Sequence, residues 1–181
     1  MIVKIFNSLK CRFWNPMVQK YILNMVAEHG KDVTIGEKFT ACGYENIYLG
    51  NHVYIGDQTR FLCTEAEIKI GNYVMFGPEV LIVTGNHRID CVGEYMFNVK
   101  EKLPENDQPV IIADDVWIGA RAIILKGSKI GRGSVIAAGA IVSGEIPEYS
   151  IYLGKKDIRP RFNEEELVKH WEAMSKYESI R

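Results

Sequence analysis

A strict six-residue period runs through the second half of the chain. Between residues 112 and 142 every sixth residue is a branched aliphatic, in the order Ile112, Ile118, Ile124, Ile130, Ile136 and Val142. An α-helix repeats about every 3.6 residues and a β-sandwich has turns roughly every eight to twelve residues, so neither produces this spacing. Six residues suffice for one short strand and one tight corner, which is a known β-helix repeat. The period therefore predicts a parallel β-helix whose aliphatic side chains fill the interior.

Shorter runs of the same period occur upstream. They are Ile35, Ala41 and Ile47; Leu49, Ile55 and Phe61; and Ile70, Phe76 and Ile82. Ile82 lies thirty residues before Ile112, so the register is kept across the intervening segment. If three strands close each coil, equivalent residues of successive coils are eighteen residues apart, and the coils stack at about 4.8 Å. The chain is thus predicted to be all-β, with a β-helix domain over residues 32–154.

Helical segments are predicted on both sides of the β-helix. Residues 1–31 form an N-terminal helical segment, in which Asn15-Pro16 begins a helix that runs to about Glu28. Residues 155–181 form a basic segment followed by a C-terminal helix. Asn163 is the expected N-cap of that helix, and Glu166 three residues later completes a capping box.

The period disappears over residues 84–109. Gly85, Pro104 and other loop-forming residues break it, and an insertion of this length in a compact domain is usually functional or disordered. The insertion also contains an apolar group, Tyr95, Met96, Phe97 and Leu103, that is unsuited to a solvated linker. We therefore expect a protruding loop that packs on the outer face of the coils or on a neighbouring subunit.

Charge and cysteine usage exclude several classes of function. The net charge is −1, so no overall basic field favours binding to nucleic acid or to an anionic membrane. The first residues give no apolar run of signal-peptide length, and no stretch approaches a membrane span. The cysteines have neither C-x-x-C pairing nor metal-ligand spacing, and their positions are Cys11, Cys42, Cys63 and Cys91. These features predict a cytoplasmic protein with reduced thiols and no metal.

The stretch IADDVWIGARAIILKGSKIGRGSVIAAGAIVSGEIPEYSIYLG, residues 112–154, resembles the hexapeptide-repeat acyltransferases, which form a left-handed parallel β-helix. Within that superfamily it is most similar to the galactoside, maltose and xenobiotic O-acetyltransferases and their polysaccharide-modifying relatives. The resemblance covers about residues 32–162 and is more specific for the fold than for the substrate. It implies acetyl-CoA as acyl donor and a homotrimer in which each coenzyme groove is completed by a neighbour's loop.

His87 is the candidate catalytic residue, because it stands in TGNHRID where the last regular strand ends and the loop begins. In the acetyltransferases that the chain resembles, a histidine at the matching place is the general base. An imidazole titrates near neutral pH and can take the proton of an acceptor hydroxyl. Asp90, three residues later, either orients this histidine or forms a loop-stabilising Asp turn, and a backbone carbonyl could also hold the ring.

The resemblance also places the coenzyme. Ala120 and Ala138 are eighteen residues apart, and it puts the pantetheine arm along them, with the N–H near Ala120 as an oxyanion donor. Trp117 is expected to point outward at the edge of this groove. Ser143-Gly144 stands where many relatives carry a Thr-Lys pair that contacts the cofactor, so the lysine is missing here. Basic residues that would meet the coenzyme phosphates are Lys155, Lys156, Arg159 and Arg161.

Candidates for the acceptor side are Arg60, Glu65 and Asp90. Some relatives hold sugar hydroxyls with an asparagine where this chain has Phe61-Leu62, a departure that argues against simple galactoside or maltose specificity. The chain is therefore predicted to be an acetyl-CoA-dependent O-acetyltransferase acting on a saccharide or similar small hydroxylated acceptor.

Three alternatives to O-acetylation stay open. The first is N-acetylation of an aminosugar or nucleotide sugar. The second is a γ-class carbonic anhydrase, which needs three metal-binding histidines, whereas the β-helix region contains His52 and His87. The third is a non-catalytic β-helix scaffold, which would not bind coenzyme.

Overall fold

Three parallel sheets wind around one core in a β-helix of about six coils. A computed structural model describes residues 15–90, 95–154, 158–160 and 162–178. Sheet A consists of β1 (Glu28–His29), β4 (Ile47–Leu49), β7 (Ile68–Ile70), β10 (Val110–Ile112), β13 (Lys129–Ile130) and β16 (Glu145–Ile146). Sheet B consists of β2 (Thr34–Ile35), β5 (Tyr54–Ile55), β8 (Met75–Phe76), β11 (Trp117–Ile118), β14 (Val135–Ile136) and β17 (Ser150–Tyr152). Sheet C consists of β3 (Thr40–Cys42), β6 (Arg60–Leu62), β9 (Leu81–Val83), β12 (Ile123–Leu125) and β15 (Ile141–Val142). The predicted β-helix is confirmed.

The residues of the six-residue period form the core. Ile118 is fully buried, and it pairs in register with Phe76 on one side and Ile136 on the other. Its neighbour in the strand, Trp117, points outward with about half of its surface exposed. Most of the two- or three-residue strands therefore contribute an inward aliphatic or aromatic side chain to a continuous column, and the column is stabilised by burial of apolar surface.

The predicted spacing of eighteen residues per coil holds for only part of the helix. Trp117 pairs with Val135, eighteen residues later, but Glu28 pairs with Tyr48, twenty residues later. The first coil has extra residues at the corner between sheets C and A, where Gly43 has φ 86° and a short 3-10 helix follows. The corner can grow without disturbing the sheets, because its backbone lies outside the ladder. As a consequence Leu49, and not Ile47, continues the column to Ile70.

The N-terminal helix is shorter than predicted. α1 spans Asn15–Leu23, and the chain then turns into β1 instead of continuing as a helix to Glu28. The free edge of β4 explains the difference: Ala27 N–H donates to the carbonyl of Ile47 and Gly30 N–H to that of Leu49, at 3.0 and 2.9 Å. The coils therefore begin at Glu28, before the predicted boundary at residue 32.

The C-terminal end covers the last coil. β18 (Ile158–Pro160) pairs antiparallel with β17 and so occupies the free edge of sheet B. α2 spans Glu164–Glu178 and begins with the predicted capping box: Asn163 N–H donates to Glu166 Oε2 at 3.0 Å, and Glu166 N–H donates to Asn163 Oδ1 at 2.9 Å. Among the described residues, neither helix is long and apolar enough to cross a membrane.

Candidate active site

The base of the 84–109 loop is a rigid extension of sheet C. The loop leaves β9 after Val83, and its two ends meet again in an antiparallel bridge between Gly85 and Asp107. Next to the bridge, Asn86 N–H donates to the carbonyl of Asn106 at 2.9 Å. The loop base is also fastened to the next coil, because the Lys126 ammonium donates to the carbonyl of Glu105. The backbone at Gly85 and Asn86 is therefore anchored next to the coils.

His87 follows directly after this anchored segment, and its side chain is exposed. Within residues 15–90 and 95–154, no group hydrogen-bonds to the imidazole. Asp90 does not orient it, since Arg88 Nε donates to Asp90 Oδ1 at 2.8 Å. That hydrogen bond holds the pKa of the Asp90 carboxyl below its usual range, so the group stays ionised at neutral pH. The Arg88–Asp90 ion pair lies within the loop, and the predicted Asp turn stays a prediction.

An open groove of about 480 Å³ lies beside the anchored segment. It follows the corner between sheets C and A across three coils, and its ends are Asn86, next to His87, and Ser143-Gly144. Its lining residues are Val83, Gly85, Asn86, Gln108, Leu125, Lys126, Gly127, Ser143 and Gly144. Lys126 is the one cation in this set, and the set contains no carboxylate, so the groove favours an anionic or neutral ligand.

Ala120 and Ala138 stack as predicted, but at a different corner. Gly139 N–H donates to the carbonyl of Ala120 at 2.8 Å, which joins the two turns between sheets B and C. Ala120 is half-buried and Ala138 is exposed, and neither amide N–H has an acceptor among the described residues. These two amides are therefore available to a ligand that lies along the corner.

One chain does not bring the predicted base and the predicted oxyanion donor together. Ala120 precedes β12, whereas His87 follows β9, and these strands are parallel neighbours in sheet C. The two residues therefore lie at opposite ends of the strands of sheet C. The length of a three-residue strand, about 10 Å, separates them. A site that uses both needs a second chain to supply one of them.

Comparisons with known proteins identify the family of the chain. Residues 109–144 match the bacterial transferase hexapeptide family, which has six repeats. A probable macrolide acetyltransferase of Lysinibacillus sphaericus is 33% identical over 149 residues, which are 72% of this chain and 73% of that protein. The chain belongs to the hexapeptide-repeat acetyltransferases.

Two further comparisons place the chain within this family. A galactoside O-acetyltransferase of Lactococcus lactis is 33% identical over 131 residues, which are 72% of this chain but 60% of that protein. The chain thus spans less than two thirds of the length of that relative. The fold is also similar to the crystal structure of a hexapeptide-repeat acetyltransferase from Vibrio cholerae complexed with acetyl coenzyme A, with a TM-score of 0.68 and 26% identity over 79% of this chain and 75% of that chain.

The other residues of this chain that are predicted to meet the coenzyme do not lie together with Ala120 and Ala138. Trp117 is exposed on the outer face of sheet B, and Ser143 is exposed in the groove. Arg159 lies in β18 opposite Ile151, and its side chain is not described. Three basic residues lie outside the described residues: Lys155, Lys156 and Arg161.

The acceptor candidates are divided by strand β6. Glu65 is exposed at the corner between sheets C and A, the corner from which His87 projects one coil later. Arg60 is exposed at the other edge of sheet C, where it pairs with Leu81. Phe61-Leu62 is the stretch where the sequence departs from the asparagine expected in galactoside and maltose enzymes. Phe61 is fully buried, so only the half-buried Leu62 could contact an acceptor there.

Sequence reasoning missed the residues that build the loop base and the groove. Asn86, Asn106, Gln108 and Lys126 have no period and no motif, and Asn106 in PEND reads as an ordinary turn residue. Their contacts join positions about twenty residues apart across the loop, and no local pattern records such a pairing. The described residues contain no group of three histidine, cysteine or acidic side chains that could hold a metal ion.

Proposed function

We propose that this protein transfers the acetyl group of acetyl-CoA to a hydroxyl of a saccharide or similar small acceptor, with His87 as the general base. The observation that carries the proposal is the anchored backbone of Asn86, which lines a groove and is followed directly by the exposed His87, in a hexapeptide-repeat acetyltransferase. The groove ends at Ser143-Gly144, where the space beside the Gly144 Cα is open, so an extended ligand has room there.

The chemistry follows from the roles of these groups. His87 takes the proton of the acceptor hydroxyl as its oxygen attacks the thioester carbonyl of acetyl-CoA. The carbonyl oxygen becomes an oxyanion, which the unpaired N–H of Ala120 stabilises by hydrogen bonding. The carbon–sulfur bond then breaks, the imidazolium returns its proton to the departing thiolate, and the acetyl ester and free coenzyme A are released.

This mechanism requires a neighbouring chain, and we propose a homotrimer. The outward side chains of sheet B form an apolar stripe, Tyr54, Met75 and Trp117, which pair in register and are each about half exposed. Elsewhere on the surface, the loop residues Tyr95 and Phe97 are 82% and 83% exposed. Contiguous exposed apolar side chains of this kind mark association surfaces. The trimer would place the His87 loop of one subunit against the Ala120 corner of the next.

The interface can be tested by introducing a charge into the stripe. Met75→Glu is expected to convert the wild-type trimer to monomers, because a carboxylate in an apolar interface loses its hydration without a partner. Sedimentation velocity at a fixed protein concentration measures the change. Ile111→Glu is the control, since Ile111 is outward on sheet A between Lys69 and Lys129. A monomeric wild-type enzyme with full activity, or a trimeric Met75→Glu variant, would contradict the assembly.

The activity is tested by following thiol release from acetyl-CoA with a panel of sugars, aminosugars and nucleotide sugars. Release that depends on the acceptor is the expected result. Treatment of the product with hydroxylamine then separates the alternatives, because it cleaves an acetyl ester and leaves an acetamide intact. Stable products from aminosugars alone would establish N-acetylation in place of O-acetylation. No coenzyme binding at all would favour a scaffold.

A further inference from the structure

Asn106 is a buried polar residue at the returning end of the loop. Its residue surface is 8% exposed, and its side-chain amide makes two hydrogen bonds. Oδ1 accepts from Leu103 N–H at 2.8 Å, and Nδ2 donates to Asn86 Oδ1 at 3.0 Å. Its own carbonyl accepts from Asn86 N–H at 2.9 Å. One residue thus holds both the backbone and the side chain of Asn86.

The direction of these bonds is fixed by their donors. The backbone N–H of Leu103 can only donate, so the amide of Asn106 must turn its oxygen toward Leu103 and its nitrogen toward Asn86. Asn86 must then present its oxygen. If the Asn106 amide were rotated by 180°, its nitrogen would face the Leu103 N–H and that hydrogen bond would be lost. The two asparagine amides therefore have one favourable orientation.

We propose that Asn106 is a positioning residue that fixes the backbone at His87 by acting through Asn86. The inference rests on the proposed function, in which His87 is the base. Asn86 is joined to His87 by a single peptide, while the imidazole itself is held by no described group. The position of the imidazole therefore depends on how firmly the backbone is anchored at Asn86, one residue before it. A misplacement of about 1 Å in a reacting group can cost about a hundredfold in rate.

Asn106→Leu tests the proposal, because leucine has a similar volume and removes both amide hydrogen bonds. We expect kcat to fall by about 10- to 100-fold while KM for acetyl-CoA changes by less than about twofold. Asn106→Asp is the conservative rescue. Its carboxylate still accepts from Leu103 N–H, and its second oxygen can accept from Asn86 once that amide rotates, so kcat is expected to stay within about fivefold of wild type.

Asn46→Leu is the matched control. The Asn46 amide Nδ2 donates to the carbonyls of Cys63 and Thr64 at 2.8 and 2.9 Å, a brace of the same kind at a corner outside the loop. Both leucine variants are expected to lower Tm, and only Asn106→Leu is expected to lower kcat. Equal loss of kcat in the two variants, or unchanged kcat in Asn106→Leu, would overturn the proposal.

A second variant keeps the test valid if Asn106→Leu folds poorly. Asn86→Ala removes the partner amide from an exposed position and leaves the buried residue intact. It is expected to lower kcat by a smaller factor than Asn106→Leu, because the backbone hydrogen bond from Asn86 N–H to the carbonyl of Asn106 remains. An unchanged kcat in Asn86→Ala would refute the coupling.

The same data separate this inference from the proposed function. If His87→Ala abolishes transfer while Asn106→Leu leaves kcat unchanged, the base assignment stands and the positioning role is wrong. If His87→Ala retains transfer, the base assignment fails, whatever Asn106 does.

Discussion

Replacing His87 by alanine is expected to lower kcat for acceptor-dependent acetyl transfer by about 100- to 10,000-fold, the usual contribution of a general base. The acceptor hydroxyl would keep its proton and attack the thioester weakly. His87 is exposed and makes no described hydrogen bond to its ring, so its removal should leave Tm unchanged. Coenzyme binding, measured by calorimetry without acceptor, should also be unchanged.

His52→Ala is the control for this experiment. His52 is also a histidine at a coil corner, but it lies beside Asp32 at 3.2 Å and stacks on Tyr73, away from the groove. Its removal is expected to leave thiol release intact. Undiminished turnover in His87→Ala would remove this residue from the mechanism, and equal loss in both variants would point to a structural effect.

Replacing Ile118 by alanine is expected to lower the free energy of unfolding by about 2 to 5 kcal/mol, the range measured for aliphatic truncations in cores. Ile118 is fully buried in the central column between Phe76 and Ile136. Short strands on both sides fix the coil spacing, so the neighbours can close little of the cavity. Denaturant titration measures the change, with all variants at one protein concentration because association would add to the apparent stability.

Ile111→Ala is the matched control, from the same coil and the same residue type. Ile111 points outward on sheet A and is 38% exposed, so its truncation leaves no enclosed cavity. A loss well below that of Ile118→Ala is expected. If the two variants lost the same stability, the inward column would not be the core of this fold.

The core could be predicted from the sequence because it is a local property. Alternation along a strand and a fixed corner length place every sixth side chain inward, so Ile112 to Val142 specify their own burial. The capping box at Asn163 and Glu166 is local in the same way. His87 could be singled out because the period ends just before it.

The tertiary structure decided how distant residues meet. It gave the first coils longer corners, paired Asp90 with Arg88, and joined Asn86 to Asn106 across the loop. It also set His87 and Ala120 at opposite ends of the strands of sheet C.

The six-residue period determines which side chains point inward, and this could be predicted from the sequence alone. It does not state how long a corner is, how a loop returns, or which residue faces another across a sheet. Those outcomes depend on hydrogen bonds and packing between positions far apart in the chain, and such contacts are fixed only when the coils have stacked.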